Sequence, residues 1–255
     1  MTLRTLQKWH GAGNDFLVEL TEDGTAPWWT AERVAAVCDR HAGLGADGLL
    51  LAGVGSEVTM TLFNADGSRA EMSGNGVRCL AAAVRRSTRA TWDVLDVHTD
   101  AGVRKVTLSM DEDSGFASVS MGTVTFAGPL DGTLGVAYVG NPHVVVRDDV
   151  SWSKAHCEAL ADSFAAQVGG ANVEFVTLLD ATHLVQRVIE RGVGWTRACG
   201  TGSCASAAVF HRAGLCDANV FVENPGGELF VRLDGDEATL SGPVQFVARV
   251  EWLES

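Results

Sequence analysis

The residues best suited to chemistry fall in two short segments that read like copies of one another. One is Ser73-Gly74-Asn75-Gly76-Val77-Arg78-Cys79, followed by Leu80-Ala81-Ala82-Ala83-Val84. The other is Cys199-Gly200-Thr201-Gly202-Ser203-Cys204, followed by Ala205-Ser206-Ala207-Ala208-Val209. Each opens on a small nucleophile-type side chain, continues Gly-x-Gly and enters an Ala-rich stretch of high helix propensity. The spacing, about half the chain, suggests two similar halves. Helix N-termini present unpaired N–H groups and a positive dipole end, so two of them could hold one anion with a reactive side chain on each side. The same field should favour thiolate over thiol at Cys199, lowering its pKa below the usual ~8.5. The glycines let a carboxylate approach the backbone closely. Taken alone, Cys199 reads more readily as a small buried hydrophobe than as a reactive group. The matching segment at 73–76 argues for chemistry.

Further polar clusters lie beside glycines or strand ends. They are His10-Gly11-Ala12-Gly13-Asn14-Asp15-Phe16, Phe63-Asn64-Ala65-Asp66-Gly67, Gly140-Asn141-Pro142-His143, Ala171-Asn172-Val173 and Ile189-Glu190-Arg191-Gly192. Singly, each is ordinary turn chemistry.

The elements that must position these residues are mostly strands. Alternation and β-branched content predict strands at 58–63, 92–99, 103–110, 116–121, 136–139, 144–147, 173–179, 184–190, 220–223, 229–233 and 244–252. Helices are expected at 30–40, capped by Thr30, and at 153–167, capped by Ser151 or Ser153. The Ala-rich stretches after Gly76 and Gly202 supply two more, whose small side chains would let a sheet come close. A boundary is expected near Gly115, with the last strand returning to the first half.

Composition bounds the partners. The chain of 255 residues has 46% hydrophobic residues and a formal net charge of −13. Nucleic acid and anionic membranes need a basic face, so neither is expected as a partner. The N-terminal segment has no apolar core of signal-peptide length, and no apolar run approaches membrane-spanning length, so a cytoplasmic protein is expected. Its six cysteines then read as free thiols.

Taken together, Gly-Asn-Asp-Phe, Asn-Ala-Asp-Gly, Gly-Asn-Gly, Gly-Asn-Pro-His, Glu-Arg-Gly and Ala-Cys-Gly-Thr-Gly, in this order, closely resemble the diaminopimelate epimerase family. The likeness runs from about Lys8 to the C-terminus. It implies an α+β fold of two pseudo-symmetric halves, each a mostly antiparallel β-sheet wrapped round a central helix, with the active site in the cleft between. The halves are expected at 1–116, joined by 243–255, and at 117–242. The implied reaction is a cofactor-independent interconversion of L,L- and meso-2,6-diaminopimelate, serving lysine and peptidoglycan synthesis. The expected partners are a small amino acid substrate and a second copy of the chain, with no metal.

The resemblance also assigns roles. Family members use one Cys from each half, as thiolate and thiol; the matching positions here are Ser73 and Cys199. The second-half base acts on the D-centre of the meso isomer, and the first-half base on the L,L isomer. Asn64, Asn141, Asn172 and Arg191 should hold the distal amino acid end, with Arg191 as a two-pronged donor to its carboxylate. Asn14 and Glu190 should face the α-ammonium or nearby groups, and the N–H groups of Gly74, Asn75, Gly200 and Thr201 the reacting carboxylate. Two departures stand out. Ser73 replaces the usual Cys with a far weaker acid, whether by an introduced exchange or as a natural variant, and Cys79, six residues into the helix, would point elsewhere. Gly48 stands where some members carry a Gln contact.

Competing readings are a racemase or isomerase of another amino acid, which the distal Asn and Arg set disfavours and Ser73 keeps open, and a non-catalytic amino acid binding protein. A phosphate site at Gly200-Thr201-Gly202-Ser203 lacks the Lys-Ser/Thr ending of a P-loop. A zinc site from Cys199 and Cys204 lacks a matching Cys or His pair at finger-like spacing.

Overall fold

The computed structural model describes residues 3–128, 130–150 and 152–253. By its internal contacts the chain divides into two units, Met1–Val119 with Pro243–Ser255, and Ser120–Gly242.

The first unit contains β1 (Leu3–Gly11), β2 (Asn14–Thr21), α1 (Ala31–Cys38), β3 (Gly48–Val54), β4 (Val58–Asn64), β5 (Arg69–Ala70), α2 (Gly74–Thr88), β6 (Val94–Thr99), β7 (Gly102–Met110) and the start of β8 (Ser114–Thr123). The second contains β9 (Thr125–Phe126), β10 (Gly135–Tyr138), β11 (Pro142–Arg147), α3 (Lys154–Gln167), β12 (Asn172–Asp180), β13 (His183–Glu190), β14 (Gly194–Thr196), α4 (Gly200–Arg212), β15 (Asn219–Asn224), β16 (Gly227–Asp234) and the start of β17 (Glu237–Leu253). The end of β17 pairs antiparallel with β1, from Leu3 opposite Leu253 to His10 opposite Gln245.

Most ladders are antiparallel, and each unit adds two parallel pairs joined by a helix. In the first unit β2 pairs parallel with β3 across α1, and β4 with β6 across α2. In the second, β11 pairs parallel with β12 across α3, and β13 with β15 across α4. Parallel neighbours cannot be joined by a tight turn, which is why helices occupy these four places.

The Ala-rich helices are the most buried elements. Every residue of α2 from Gly74 to Val84 is buried, as is every residue of α4 from Gly200 to Phe210. In its own unit α2 packs against β1, β2, β3, β4, β6 and β7, and α4 against β10, β11, β12, β13, β15 and β16. Ala, Gly and Ser along these helices let strands approach on several sides. The shorter helices cover separate apolar clusters. Val34, Val37 and Cys38 of α1 meet Leu49 and Leu51 of β3, and Cys157, Ala161 and Phe164 of α3 meet Val144, Val146 and Phe175.

The N-caps follow the expected chemistry. Thr30 caps α1 and Ser153 caps α3, each accepting from the N–H three residues on. Ser151, the other candidate cap, lies outside the described residues. Strands β1, β2 and β3 have no counterpart in the periodicity reading. In β3, Gly-Leu-Leu-Leu-Ala-Gly-Val, six of the seven residues are buried. A strand covered on both faces has no polar alternation to betray it.

The turn after β4 is built on Gly67. Its φ of +83° lies in the left-handed region, and a Cβ there would meet the Ala31 carbonyl oxygen at 2.2 Å. Gly67→Ala should therefore cost about 1 kcal/mol or more of stability. Urea unfolding of both proteins measures this, and an unchanged midpoint would contradict it.

Candidate active site

In the first unit, the Ser73 hydroxyl caps α2 and accepts from the Gly76 N–H at 3.1 Å. The first N–H groups of an α-helix have no intrahelical acceptor, so those of Gly74 and Asn75 suit an anion. A relay fixes the polar side chains beside them. The Arg78 guanidinium donates to Asn75 Oδ1 (2.9 Å), Asn75 Nδ2 donates to Asn14 Oδ1 (3.1 Å), and Asn14 Nδ2 donates to Asp47 Oδ2 (2.7 Å). Arg40 binds both Asp15 (2.6 Å) and Asp47 (2.7 Å), and Lys8 reaches Asp15 at 3.0 Å. Burial pushes the Asp15 carboxyl up, but hydrogen bonds from Arg40 and Lys8 outweigh it and hold the pKa below the usual value. Arg78 is fully buried, which places a cation within the first turns of α2.

Asn64 ends β4, with its Nδ2 on Ser68 Oγ at 2.9 Å. Gly48 pairs with Asn64 across the β3–β4 ladder. A Cβ at Gly48 would meet the Phe63 carbonyl oxygen at 2.5 Å, so this backbone has no room for a Gln there. Cys79 is fully buried, and burial pushes its thiol up to about 12, which removes it as a base near neutral pH.

In the second unit, Cys199 caps α4, and its Sγ accepts from the Gly202 N–H at 3.3 Å. Thr201 Oγ1 lies 3.4 Å from the sulfur, and Asn172 Nδ2 points to it at 3.8 Å. Asn172 Oδ1 also accepts the Arg191 N–H at 2.9 Å. One side chain thus links the sulfur to the backbone of the residue expected to bind the distal carboxylate. Arg191 itself is exposed, and Glu190 accepts from the Thr196 hydroxyl. Asn141 makes a different contact, with its Oδ1 3.0 Å from His143 Nε2.

The expectation of a low Cys199 pKa is overturned. Burial is the largest effect, and the charges of Glu190 and Glu174 add to it, so the thiol sits well above its usual value. Hydrogen bonds from Thr201 and Gly202 work in the other direction and are outweighed. A helix N-terminus contributes only a fraction of a charge, whereas each carboxylate contributes a whole one.

Two residues beside Cys199 had no role in the sequence reading. His143 and Glu174 are fully buried, with Nδ1 2.7 Å from Glu174 Oε1. His143 and Asn172 are register partners on the parallel strands β11 and β12, and Glu174 lies two residues after Asn172 on the same strand face. The i, i+2 spacing of Asn172 and Glu174 was the available signal. A Cβ on Gly202 would lie 2.5 Å from Glu174 Oε1, so glycine is what lets the carboxylate reach the helix.

With this geometry in place, comparisons with known proteins converge. The profile of the diaminopimelate epimerase family matches residues 6–127 and 135–247. A diaminopimelate epimerase of Rhodococcus opacus is 40% identical, with 94% of each chain covered. One from Xanthomonas campestris pv. campestris is 36% identical over 96% of this chain and 95% of its own. Among solved structures, a phenazine biosynthesis protein of the PhzF family from Bacillus anthracis superposes with a TM-score of 0.74 at 17% identity, covering 100% of both chains. A hydroxyproline epimerase from Agrobacterium vitis, with bound trans-4-hydroxy-L-proline, gives 0.72 at 15% identity over 99% of this chain and 91% of its own. At these identities the structures share the fold.

The charges around Cys199 predict opposite responses to two substitutions. Glu190→Gln removes a carboxylate that disfavours thiolate, so the pH midpoint of Cys199 alkylation should fall. Thr201→Val removes a hydrogen bond that favours thiolate, so the midpoint should rise. Iodoacetamide labelling of Cys199 across pH, read by peptide mass spectrometry, measures both. Movement of both midpoints in one direction would contradict the assignment.

Proposed function

The chain belongs to the diaminopimelate epimerase family, and we propose that it performs the family's inversion with an unequal pair of side chains, Cys199 and Ser73. It is an isomerase by family, and its substrate is 2,6-diaminopimelate. The observation that carries the reading is the cap itself. Each Gly-x-Gly segment opens a buried helix, and the side chain in front accepts from an N–H of the first turn.

An α-hydrogen is a weak acid, so its removal needs a base and strong stabilisation of the adjoining carboxylate. The N–H groups of Gly74, Asn75, Gly200 and Thr201 are assigned to that carboxylate. Asn14 and Glu190 are assigned to the α-ammonium, and Asn64, Asn141, Asn172 and Arg191 to the distal end. The ammonium has a second effect. Beside Glu190 it offsets the negative charge that keeps Cys199 protonated, so the bound substrate itself favours the thiolate.

Inversion needs an acceptor and a donor on opposite sides of the α-carbon. The family resemblance gives Cys199 the first role for the meso isomer and Ser73 the second. A hydroxyl is a much weaker acid than a thiol, so the reprotonation step is the slow one here. We read each unit as one of two pseudo-symmetric halves, a sheet round its Ala-rich helix, supported by the strands that pack on α2 and α4. A cytoplasmic homodimer is part of the same proposal. The exposed Leu3, Val247 and Leu253 on the paired strands β1 and β17 supply apolar surface for a second copy.

Ser73→Cys should raise interconversion of the L,L and meso isomers by orders of magnitude. A chiral assay on both proteins measures it, and equal rates would remove the two-thiol requirement. Arg191→Lys replaces a planar fork by a point charge and should weaken diaminopimelate binding by about 1.5–3 kcal/mol. Calorimetric titration decides this, and unchanged affinity would take Arg191 out of the site.

A further inference from the structure

The second unit holds a feature that proton transfer leaves unexplained. His143, Glu174 and Cys199 each bring one potential ligand atom within 4.8 Å of the others, and all three are buried. Glu174 is fully buried, yet its Oε2 has no hydrogen-bond partner among the described residues. A buried carboxylate oxygen without a donor is costly, and a cation is what would satisfy it. Glu190 adds a second negative charge near the sulfur.

We propose that His143, Glu174 and Cys199 form a binding site for a thiophilic divalent cation of the zinc class. A thiolate, an imidazole and a carboxylate are the donor types such ions take, and three protein ligands leave a fourth position for water. Zinc–ligand bonds of about 2.0–2.3 Å imply tetrahedral ligand separations of roughly 3.3–3.8 Å, so His143 Nδ1 and Glu174 Oε1 must part from 2.7 Å while any spacing near the 4.8 Å limit must shrink by about 1 Å. The supporting contact is present. Asn141 Oδ1 receives the Nε2–H of His143, which turns Nδ1 toward Glu174. In the metal-free protein a proton bridges Nδ1 and Glu174 Oε1. The cation takes the place of that proton and of the thiol proton, and both leave to solvent. This donor set differs from a Cys199–Cys204 pair, because Cys204 contributes nothing to it. Its members lie on the parallel neighbours β11 and β12 and at the cap of α4.

Occupancy and base function exclude each other, since a metal-bound sulfur cannot take up the α-proton. Micromolar zinc should therefore inhibit the enzyme. That consequence rests on the proposed role of Cys199; the binding itself does not.

The test uses the full chain under a non-thiol reductant, with Co2+ as the probe and Zn2+ as competitor. One equivalent of Co2+ should produce a sulfur-to-cobalt charge-transfer band that Zn2+ abolishes. In the unaltered protein, one histidine imidazole should show a paramagnetically shifted resonance, and Zn2+ should protect Cys199 from iodoacetamide. Glu174→Gln keeps the side-chain shape and should weaken the metal by about tenfold or more. Cys199→Ser should abolish the band. A band that survives Cys199→Ser, an unshifted set of histidines, or equal affinity in Glu174→Gln would each overturn the site. The histidine and protection measurements need no variant, so misfolding of Glu174→Gln cannot mask the result. Binding with all these signatures but without inhibition would uphold the site and count against Cys199 as the base.

Discussion

The N-cap hydrogen bond of each Ala-rich helix is where fold and chemistry meet. Ser73 Oγ and Cys199 Sγ each accept from the N–H three residues on, at 3.1 and 3.3 Å. A cap of this kind typically contributes about 1 kcal/mol to a helix. Here it also aims the reactive atom along the end of the helix, beside the N–H groups that suit a carboxylate. Small residues predominate behind the cap, where strands pack on several sides of α2 and α4. Gly202 is the tightest instance, since any Cβ would collide with Glu174.

The environment of Cys199 shows which electrostatic effect wins. The helix end and two hydrogen bonds favour thiolate, while burial and two carboxylates oppose it and prevail. The thiol is therefore kept protonated until positive charge arrives. In the two proposals that charge is the ammonium group of diaminopimelate or a divalent cation. Both readings of the pocket rest on the same excess of negative charge.

Much of this was legible in the sequence where one residue decides a local outcome. Thr30, Ser73, Ser153 and Cys199 each stand in front of a helix and cap it. Strands with one buried face, such as β16 and β7, announced themselves by alternation. Strand β3 did not, because both its faces are covered. The charged relay of Lys8, Asp15, Arg40 and Asp47 was invisible for another reason: its members are brought together by tertiary pairing. Glu174 was hidden in an apolar run, and only the β11–β12 register places it near His143. The Cys199 pKa was misjudged from the cap alone for the same reason, since Glu174 and Glu190 arrive from other elements.

The central claim is that Cys199 works as a base while Ser73 does not. Proton NMR of each isomer in deuterated water tests it most directly. The meso isomer should exchange the α-hydrogen of its D-centre for deuterium faster than L,L product accumulates, and the L,L isomer should exchange little. Equal exchange from both isomers would show Ser73 acting as a base. No exchange from either would contradict the enzyme and leave an amino acid binding protein.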